Sequence, residues 1–600
     1  MVDDVGSPLP CSPEMPGSYD RAPQFATFRS DRDVRVPMRD GVELCVDIYR
    51  PESPDPLPAL LAFAVYNKDL QAPEVSEQLP PQPAWAPLWT GCLEAGDTRF
   101  FTSRGYVHVI ASPRNIGKSG GGGDRTWDSY DLIEWIARQA WCNGRVGMVG
   151  ISGFAAEQWH AARQRPPALK AIFPFDPRGA YGRLGSFREE YPGGVLHLFR
   201  YLIMHFVAAH QNKGAPKDLD PAREALWQRA MANPDYRMYP QLLNILTLKG
   251  QHFPVVFDLL IDPFDHEEAV ATAEQELAQV TIPAYTGSGW YAYGYKTHLN
   301  GAQNYFKLLK SPKKLLLCGP AHLERPFHGL SAEMLRWYDY WLKGIDSGVM
   351  HEPAVRYWVT GAESWRTSND WPPPEVRWTR FYLNSWERLR VDPFVPASVD
   401  ALIPPDTFTQ MPLTQTNRVQ SLRYLSERLP ADMLLAGPAV LTLHAAIDKP
   451  DTNWIVILKD VGPDSKVLSA REGERSIGAD VPEREITRGW LKASNRALDA
   501  NRSTPTMPWH YLTRKAARPV EPGAIEEYSI ELMASAHLYR AGHRLCLEIT
   551  CMDVPTGVGG ATNAEYIPFH VCSSETVTHT VYHDAARPSN LLVPLLPAGS

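Results

Sequence analysis

The sequence predicts an α/β domain interrupted by a helical insertion and followed by an all-β, jelly-roll-like domain. Three observations carry this. Apolar strand-like runs alternate with helix-like stretches up to residue 177 and again from 281 to 348, the pattern of a parallel sheet. Residues 178–280 show helical spacing with Pro and Gly punctuation and few strand candidates. Beyond residue 348, short Val/Thr/Tyr-rich runs are separated by Pro, Asp, Asn and Gly, the turn chemistry of a sandwich. The expected division is an N-terminal extension over 1–30, a sheet domain over 31–177 and 281–348, a helical cap insertion over 178–280 and a β-sandwich over 349–600.

Taken in order, Val42–Tyr49 alternates with period two and Pro51 ends it. Leu57–Val65 is a continuous apolar run, as a parallel strand covered on both faces requires. Tyr106–Ala111 reads as a strand and Asp131–Ala140 as a helix. Gly144–Gly150 is then a strand, Ala155–Arg163 a helix and Ala168–Phe175 a strand. Val195–Ala209 and Ala222–Ala232 read as helices of the insertion. Thr281–Thr286 and Lys313–Leu317 resume the sheet, and the helix Ala332–Lys343 follows. The β domain is expected to include Val355–Thr360, Thr379–Leu383, Ala439–His444, Trp454–Lys459, Glu526–Leu532, Arg544–Thr550 and Thr576–Val581.

Composition narrows the function classes. With 44% hydrophobic and 21% charged residues, the chain is neither disordered nor fibrous. Sixty basic against 68 acidic residues, a formal charge of −8, leave no basic excess for a nucleic acid. The eight cysteines form no C-x-x-C pair, so no zinc or redox motif is written, and they read as reduced structural thiols. The first 19 residues lack a basic and an apolar region of a signal, and no run reaches the ~20 apolar residues that span a bilayer. The expected compartment is the cytoplasm, with no membrane partner.

The sharpest local signal is Gly147-Met148-Val149-Gly150-Ile151-Ser152-Gly153-Phe154-Ala155. A strand runs into a turn of small residues and a helix follows, the setting in which a strained turn exposes a serine hydroxyl as a nucleophile. Phe154 breaks the strict G-x-S-x-G form. A serine nucleophile needs an imidazole base, commonly on a later loop. His322 follows the strand Lys313–Leu317 directly; His328 is its rival and His298 a weaker one.

These residues and their surroundings resemble the cocaine-esterase-like (CocE/NonD) branch of the α/β-hydrolases, related to X-Pro dipeptidyl-peptidases. The family's elbow is G-x-S-Y-x-G; Gly150, Ser152 and Ala155 fit, and Gly153 stands where the Tyr is usual. Arg104-Gly105-Tyr106, Gly117-Lys118-Ser119-Gly120 and the run from Glu134 to Gly144 resemble its framework. Asp451-Thr452-Asn453-Trp454, Asp460-Val461 and Arg488-Gly489-Trp490-Leu491 resemble its C-terminal domain. Val65-Tyr66-Asn67-Lys68 resembles its P-Y-x-K segment, whose tyrosine hydroxyl helps form the oxyanion hole. The likeness runs over about residues 30 to 560. It implies an α/β-hydrolase sheet, Ser152 as nucleophile, His322 as base, and the Gly153 N–H with the Tyr66 hydroxyl as oxyanion hole.

The third triad member departs from the pattern. The family carries its acid in G-W-Y-D, and this chain reads Gly289-Trp290-Tyr291-Ala292. Asp176, directly after the strand Ala168–Phe175, leads the replacements; Glu324, Asp265 and the absence of any acid stay open. Trp290 and Tyr291 are candidates for the acyl pocket wall, as are Phe199, Tyr201 and Phe206 of the insertion, with core packing the default for both groups.

The expected activity is serine-dependent cleavage of a small-molecule ester or amide through an acyl-enzyme, with no cofactor or metal. The alternatives are acyl transfer, X-Pro-type peptidase action, or a catalytically weakened binding protein, the last suggested by Ala292. The large β domain offers surface for a homodimer.

Overall fold

The computed structural model describes residues 19, 21–76, 94–177, 179, 187–198, 218–249, 254–290, 297–318, 328–392, 404–462, 483–553 and 570–597. A ten-stranded sheet comprises β1 (Phe28–Pro37), β2 (Glu43–Pro51), β3 (Leu57–Phe63), β4 (Val107–Ala111), β5 (Cys142–Met148), β6 (Leu169–Ile172), β7 (Ala284–Gly289), β8 (Lys313–Cys318), β9 (Val355–Val359) and β10 (Ser364–Ser368). Their order is β1-β2-β4-β3-β5-β6-β7-β8-β9-β10. The seven strands from β3 to β9 pair in parallel, with antiparallel β1, β2 and β10 at the edges.

A parallel sheet buries both faces, which favours continuous apolar runs; β3 has six consecutive buried residues. On one face Leu132, Ile133 and Ile136 of the helix Asp128–Ala137 join Trp159 of the helix Gly153–Gln164, which stacks on Tyr305 with centroids 4.0 Å apart. On the other, Phe101, Leu335, Trp337 and Tyr338 cover Leu60, Ile110 and Phe173. Six cysteines among the described residues are free and buried.

Val355–Thr360, expected in the β domain, instead extends the first sheet. Val355 pairs in parallel with Leu315 of β8, and β10 adds an antiparallel edge, so this sheet runs to Ser368 rather than ending near 348. The reason is burial: Val355, Tyr357 and Val359 cover Leu315, Leu317 and Trp290 beside β8. The same cluster takes Leu434, Ala436, Ala536 and Leu596 from the second sheet. Thr360 completes the junction, donating its N–H to Ala536 O (3.1 Å) and accepting from Leu538 N–H (2.8 Å).

The insertion contains the helices Pro221–Ala232, Pro234–Arg237, Pro240–Thr247, Pro254–Ile261 and Glu267–Ala278. Four begin on proline, whose missing N–H costs nothing at the first turn. Their shared core of Leu242, Leu246, Phe257 and Leu260 also takes Leu512 and Val571 of the β domain. Most of the helix expected at Val195–Ala209, with Phe199, Tyr201 and Phe206, lies outside the described residues; His197 within it forms an antiparallel bridge with His570.

The second sheet has eleven strands: β11 (Arg377–Asn384), β12 (Arg388–Arg390), β13 (Asp406–Gln410), β14 (Ser421–Ser426), β15 (Met433–Ile447), β16 (Asn453–Val461), β17 (Glu483–Lys492), β18 (Glu526–Tyr539), β19 (Arg544–Thr550), β20 (Val577–Tyr582) and β21 (Asn590–Leu596). Period-two alternation explains their two faces. On β16, Trp454, Val456 and Leu458 enter the β core, while Ile455 and Ile457 pack with Val195 and Trp490 against the insertion. All nine β16 residues are buried as a result.

Candidate active site

β5 leads into a turn with no room for a side chain at Gly150. Gly150 has φ +116, and a Cβ there would lie 2.5 Å from Phe154 Cβ, so glycine is required twice over. Ser152 follows with φ 54 and ψ −110, a conformation a non-glycine residue adopts at a cost of about 1–3 kcal/mol. Four residues, Glu94, Phe175, Gln158 and Tyr338, brace the turn and the strand end before it. Ile151 N–H donates to Glu94 O (3.1 Å) and Ser152 N–H to Phe175 O (3.1 Å). Gln158, fully buried on the following helix, donates to Gly150 O (2.8 Å) and accepts from Phe173 N–H (2.9 Å). Tyr338 O–H donates to Met148 O just upstream.

Gly153 opens the helix Gly153–Gln164, whose N-terminal N–H groups favour negative charge. Tyr66 stands over it: a Cβ on Gly153 would lie 3.5 Å from Tyr66 Cε2, an ordinary contact distance. The tyrosine ring also packs on Phe154, centroids 5.8 Å apart. Its segment is anchored by Lys68, whose side chain is 1% exposed and whose Nζ sits 2.8 Å from Asp33, 2.9 Å from Asp47 and 2.6 Å from Asp69. Burial pulls the ammonium pKa down, but the hydrogen bonds to Asp33, Asp69 and Asp47 outweigh it and the net shift is upward. Lys68 N–H also donates to Ser112 Oγ (2.9 Å).

Asp176 ends the extension of β6. Phe175 bridges Ile151 on one side and Gly287 on the other, and Asp176 N–H donates to Gly287 O (2.8 Å). The residue is fully buried with φ 51, and its Oδ1 accepts from Ser288 Oγ at 2.7 Å. Ser152 and Asp176 thus leave neighbouring strands at the same carboxyl edge, where open α/β sheets present their sites.

Asp265 is buried but paired with Arg188 (3.0 Å), and it accepts from His266 N–H (2.9 Å), which makes it an anchor of the insertion. His298 is buried with Nδ1 3.2 Å from Pro177 O. Trp290, a possible pocket-wall residue from the sequence, packs in the core. It is fully buried, its indole N–H donates to Trp358 O (2.8 Å), and its ring packs on Trp371. Alternation along β7 turns it toward β9, where the apolar cluster needs it. His322, Tyr291, Ala292, Glu324 and the side chain of His328 lie outside the described residues.

Gln158, Glu94 and Ser288 escape a reading of the sequence. A glutamine inside a helix and a serine inside a strand carry no local mark of the hydrogen bonds that tertiary contact assigns them. Among the described residues no group of three His, Cys, Asp or Glu could hold a metal ion, and no helix there is long and apolar enough to cross a membrane. A strained serine at a helix N-terminus, an aromatic hydroxyl-bearing ring over the next residue and a buried carboxylate on the adjoining strand form a set suited to acyl chemistry.

The comparisons agree with that chemistry. Residues 40–324 match the family model of the X-Pro dipeptidyl-peptidase (S15 family), and residues 347–592 match the X-Pro dipeptidyl-peptidase C-terminal non-catalytic domain. The chain is 24% identical to cocaine esterase of Rhodococcus sp. (strain MB1 Bresler), over 94% of this chain and 98% of that protein. It is 22% identical to a putative Xaa-Pro dipeptidyl-peptidase of Bacillus anthracis, over 87% of this chain and 81% of that one. A CocE/NonD family hydrolase from Staphylococcus aureus superposes with a TM-score of 0.70 at 21% identity, covering 95% of this chain and 94% of that one. An α-amino acid ester hydrolase shares the fold with a TM-score of 0.66 at 17% identity, covering 96% and 98%. The two family models together span most of the chain, which belongs to the X-Pro dipeptidyl-peptidase (S15) family, an α/β-hydrolase fold with a C-terminal all-β domain, and it is a serine hydrolase of esters or amides.

Proposed function

We propose that the protein hydrolyses a small-molecule ester through an acyl-enzyme on Ser152, with His322 as base and Asp176 as the orienting acid. The observation that carries this is the strained elbow: Ser152 at φ 54, braced by Gln158 and Phe175, with Tyr66 over Gly153 beside it. In this reading His322 takes the Ser152 hydroxyl proton as Oγ attacks the substrate carbonyl carbon. The Gly153 N–H and Tyr66 O–H bind the oxyanion, worth about 3–4 kcal/mol each to the transition state. Collapse breaks the bond to the leaving alcohol, which receives the proton from His322. Water, deprotonated by the same imidazole, then attacks the acyl carbon and releases the acid and Ser152.

Asp176 replaces the acid that Ala292 removes from the family position, because it lies on the neighbouring strand end at the same sheet edge as Ser152. An ester is favoured over an amide because the relative matched over 94% of this chain is named an esterase. Residues 178–280 act as the cap over the site, with the β domain packed against it through Ile455, Ile457 and Trp490. The free buried thiols suit a reducing cytoplasm.

The experiment is hydrolysis of short-chain p-nitrophenyl esters by wild type, Ser152→Ala and His322→Ala. Activity in wild type and its loss in both variants is expected; an unchanged rate in Ser152→Ala overturns the assignment.

A further inference from the structure

The carboxylate of Asp176 has a dedicated partner. Ser288 sits on β7, the strand next to the one that carries Asp176, and both residues are fully buried. The serine hydroxyl has one proton and two acceptors in reach, Asp176 Oδ1 at 2.7 Å and Gly289 O at 3.2 Å. The shorter contact to an ionisable oxygen is the stronger, since a charged acceptor roughly doubles a hydrogen bond. One turn of the pleat earlier, Thr286 Oγ1 donates to Pro174 O (3.1 Å) from the same face of β7. Two hydroxyls two residues apart thus reach across to the segment that ends in Asp176.

The backbone beneath them allows no slack. Gly287, between the two hydroxyl residues, accepts Asp176 N–H at 2.8 Å and bridges Phe175. A Cβ on Gly287 would meet Leu316 O at 2.5 Å and Phe175 Cε2 at 2.7 Å, so β6, β7 and β8 approach more closely here than any side chain would permit. Asp176 is therefore held at its N–H by one residue of β7 and at Oδ1 by the next.

We propose that Ser288 is a positioning residue for the reaction: its hydroxyl fixes the rotation of the Asp176 carboxylate. The inference rests on the reading of Asp176 as the triad acid. It explains how an acid can work from the end of β6 in this chain. The strand that ordinarily precedes the acid supplies a hydroxyl that holds the relocated carboxylate.

A double-mutant cycle tests it, with kcat and KM for a p-nitrophenyl ester measured on Ser288→Ala, Asp176→Asn and the pair. Ser288→Ala should lower kcat about 10- to 100-fold, the effect of losing one hydrogen bond to a charged group, with KM changed less than about twofold. Ser288→Thr, which keeps the hydroxyl, should retain most of kcat. In the Asp176→Asn background the Ser288→Ala change should cost little more, because both act through one carboxylate. Additive losses, or a Ser288→Ala kcat within about twofold of wild type, would overturn the role of Ser288 while leaving Asp176 in place. Full activity in Asp176→Asn would instead remove the acid assignment on which the inference depends.

Discussion

The main-chain N–H of Ser152 donates to the carbonyl of Phe175 over 3.1 Å, which ties the strained elbow to the residue just before Asp176. The proposed nucleophile and acid are thereby registered to each other through one backbone hydrogen bond, independent of any loop. Asp176→Asn keeps the size and burial of the side chain but cannot stabilise an imidazolium. Its kcat should fall by about 10⁴-fold, the loss seen when a triad aspartate becomes asparagine, with the circular dichroism spectrum unchanged. A kcat near wild type would place the acid elsewhere.

Tyr66→Phe should leave the fold intact, because the ring keeps its packing on Gly153 and Phe154. Only the hydroxyl is lost. The expected cost is about 10²- to 10³-fold in kcat, read by steady-state kinetics, with KM little affected. An equal loss in KM and none in kcat would make Tyr66 a binding residue.

Gly150→Ala puts a Cβ within 2.5 Å of Phe154 Cβ at a φ of +116. Neither neighbour can yield: Phe154 is in the core and Gly150 O holds Gln158. Strain and overpacking together should destabilise the protein by about 2 kcal/mol or more. Urea denaturation checks this, and a variant as stable and active as wild type would mean that the elbow is looser than described.

Lys68→Met removes the cation from among Asp33, Asp47 and Asp69. Breaking a buried pair by deleting one partner costs about 3–5 kcal/mol. The low end applies, since Arg32 remains 2.9 Å from Asp47. Denaturation should report that loss, and kcat should fall with it as the Tyr66 segment loosens.

Burial pushes His108 and His510 down to about 4, and His197 and His579 down to about 3. Unfolded histidine titrates near 6.5, so between that pH and the folded values the unfolded chain binds more protons. Stability is therefore fully present above pH 6.5 and lost as pH falls toward 4 and 3. The melting temperature should be flat from pH 7 to 8 and fall steadily below 6.5; a flat profile down to pH 4.5 would contradict these burials.

The parallel sheet was legible because its strands are apolar runs with helical stretches between them, and the elbow because small residues crowd one turn. The placement of Asp176 at the carboxyl edge was legible from the strand before it. The sheet to which Val355–Val359 belongs was not, since a short Val/Tyr run pairs as readily with β8 as with a sandwich, and only the apolar cluster around Leu315 decides it. Trp290 was open to two readings because aromatic residues wall pockets and fill cores alike. Gln158 and Ser288 were invisible for a different reason: tertiary contact assigns their hydrogen bonds, and no local pattern marks them.

The central claim is that Ser152 is an activated nucleophile. The most direct test is a fluorophosphonate label on the folded protein, followed by peptide mass mapping. The account predicts a single adduct on Ser152, absent from Ser152→Ala and from heat-unfolded wild type. No adduct on Ser152 in the folded wild type, or one on another serine, would contradict it.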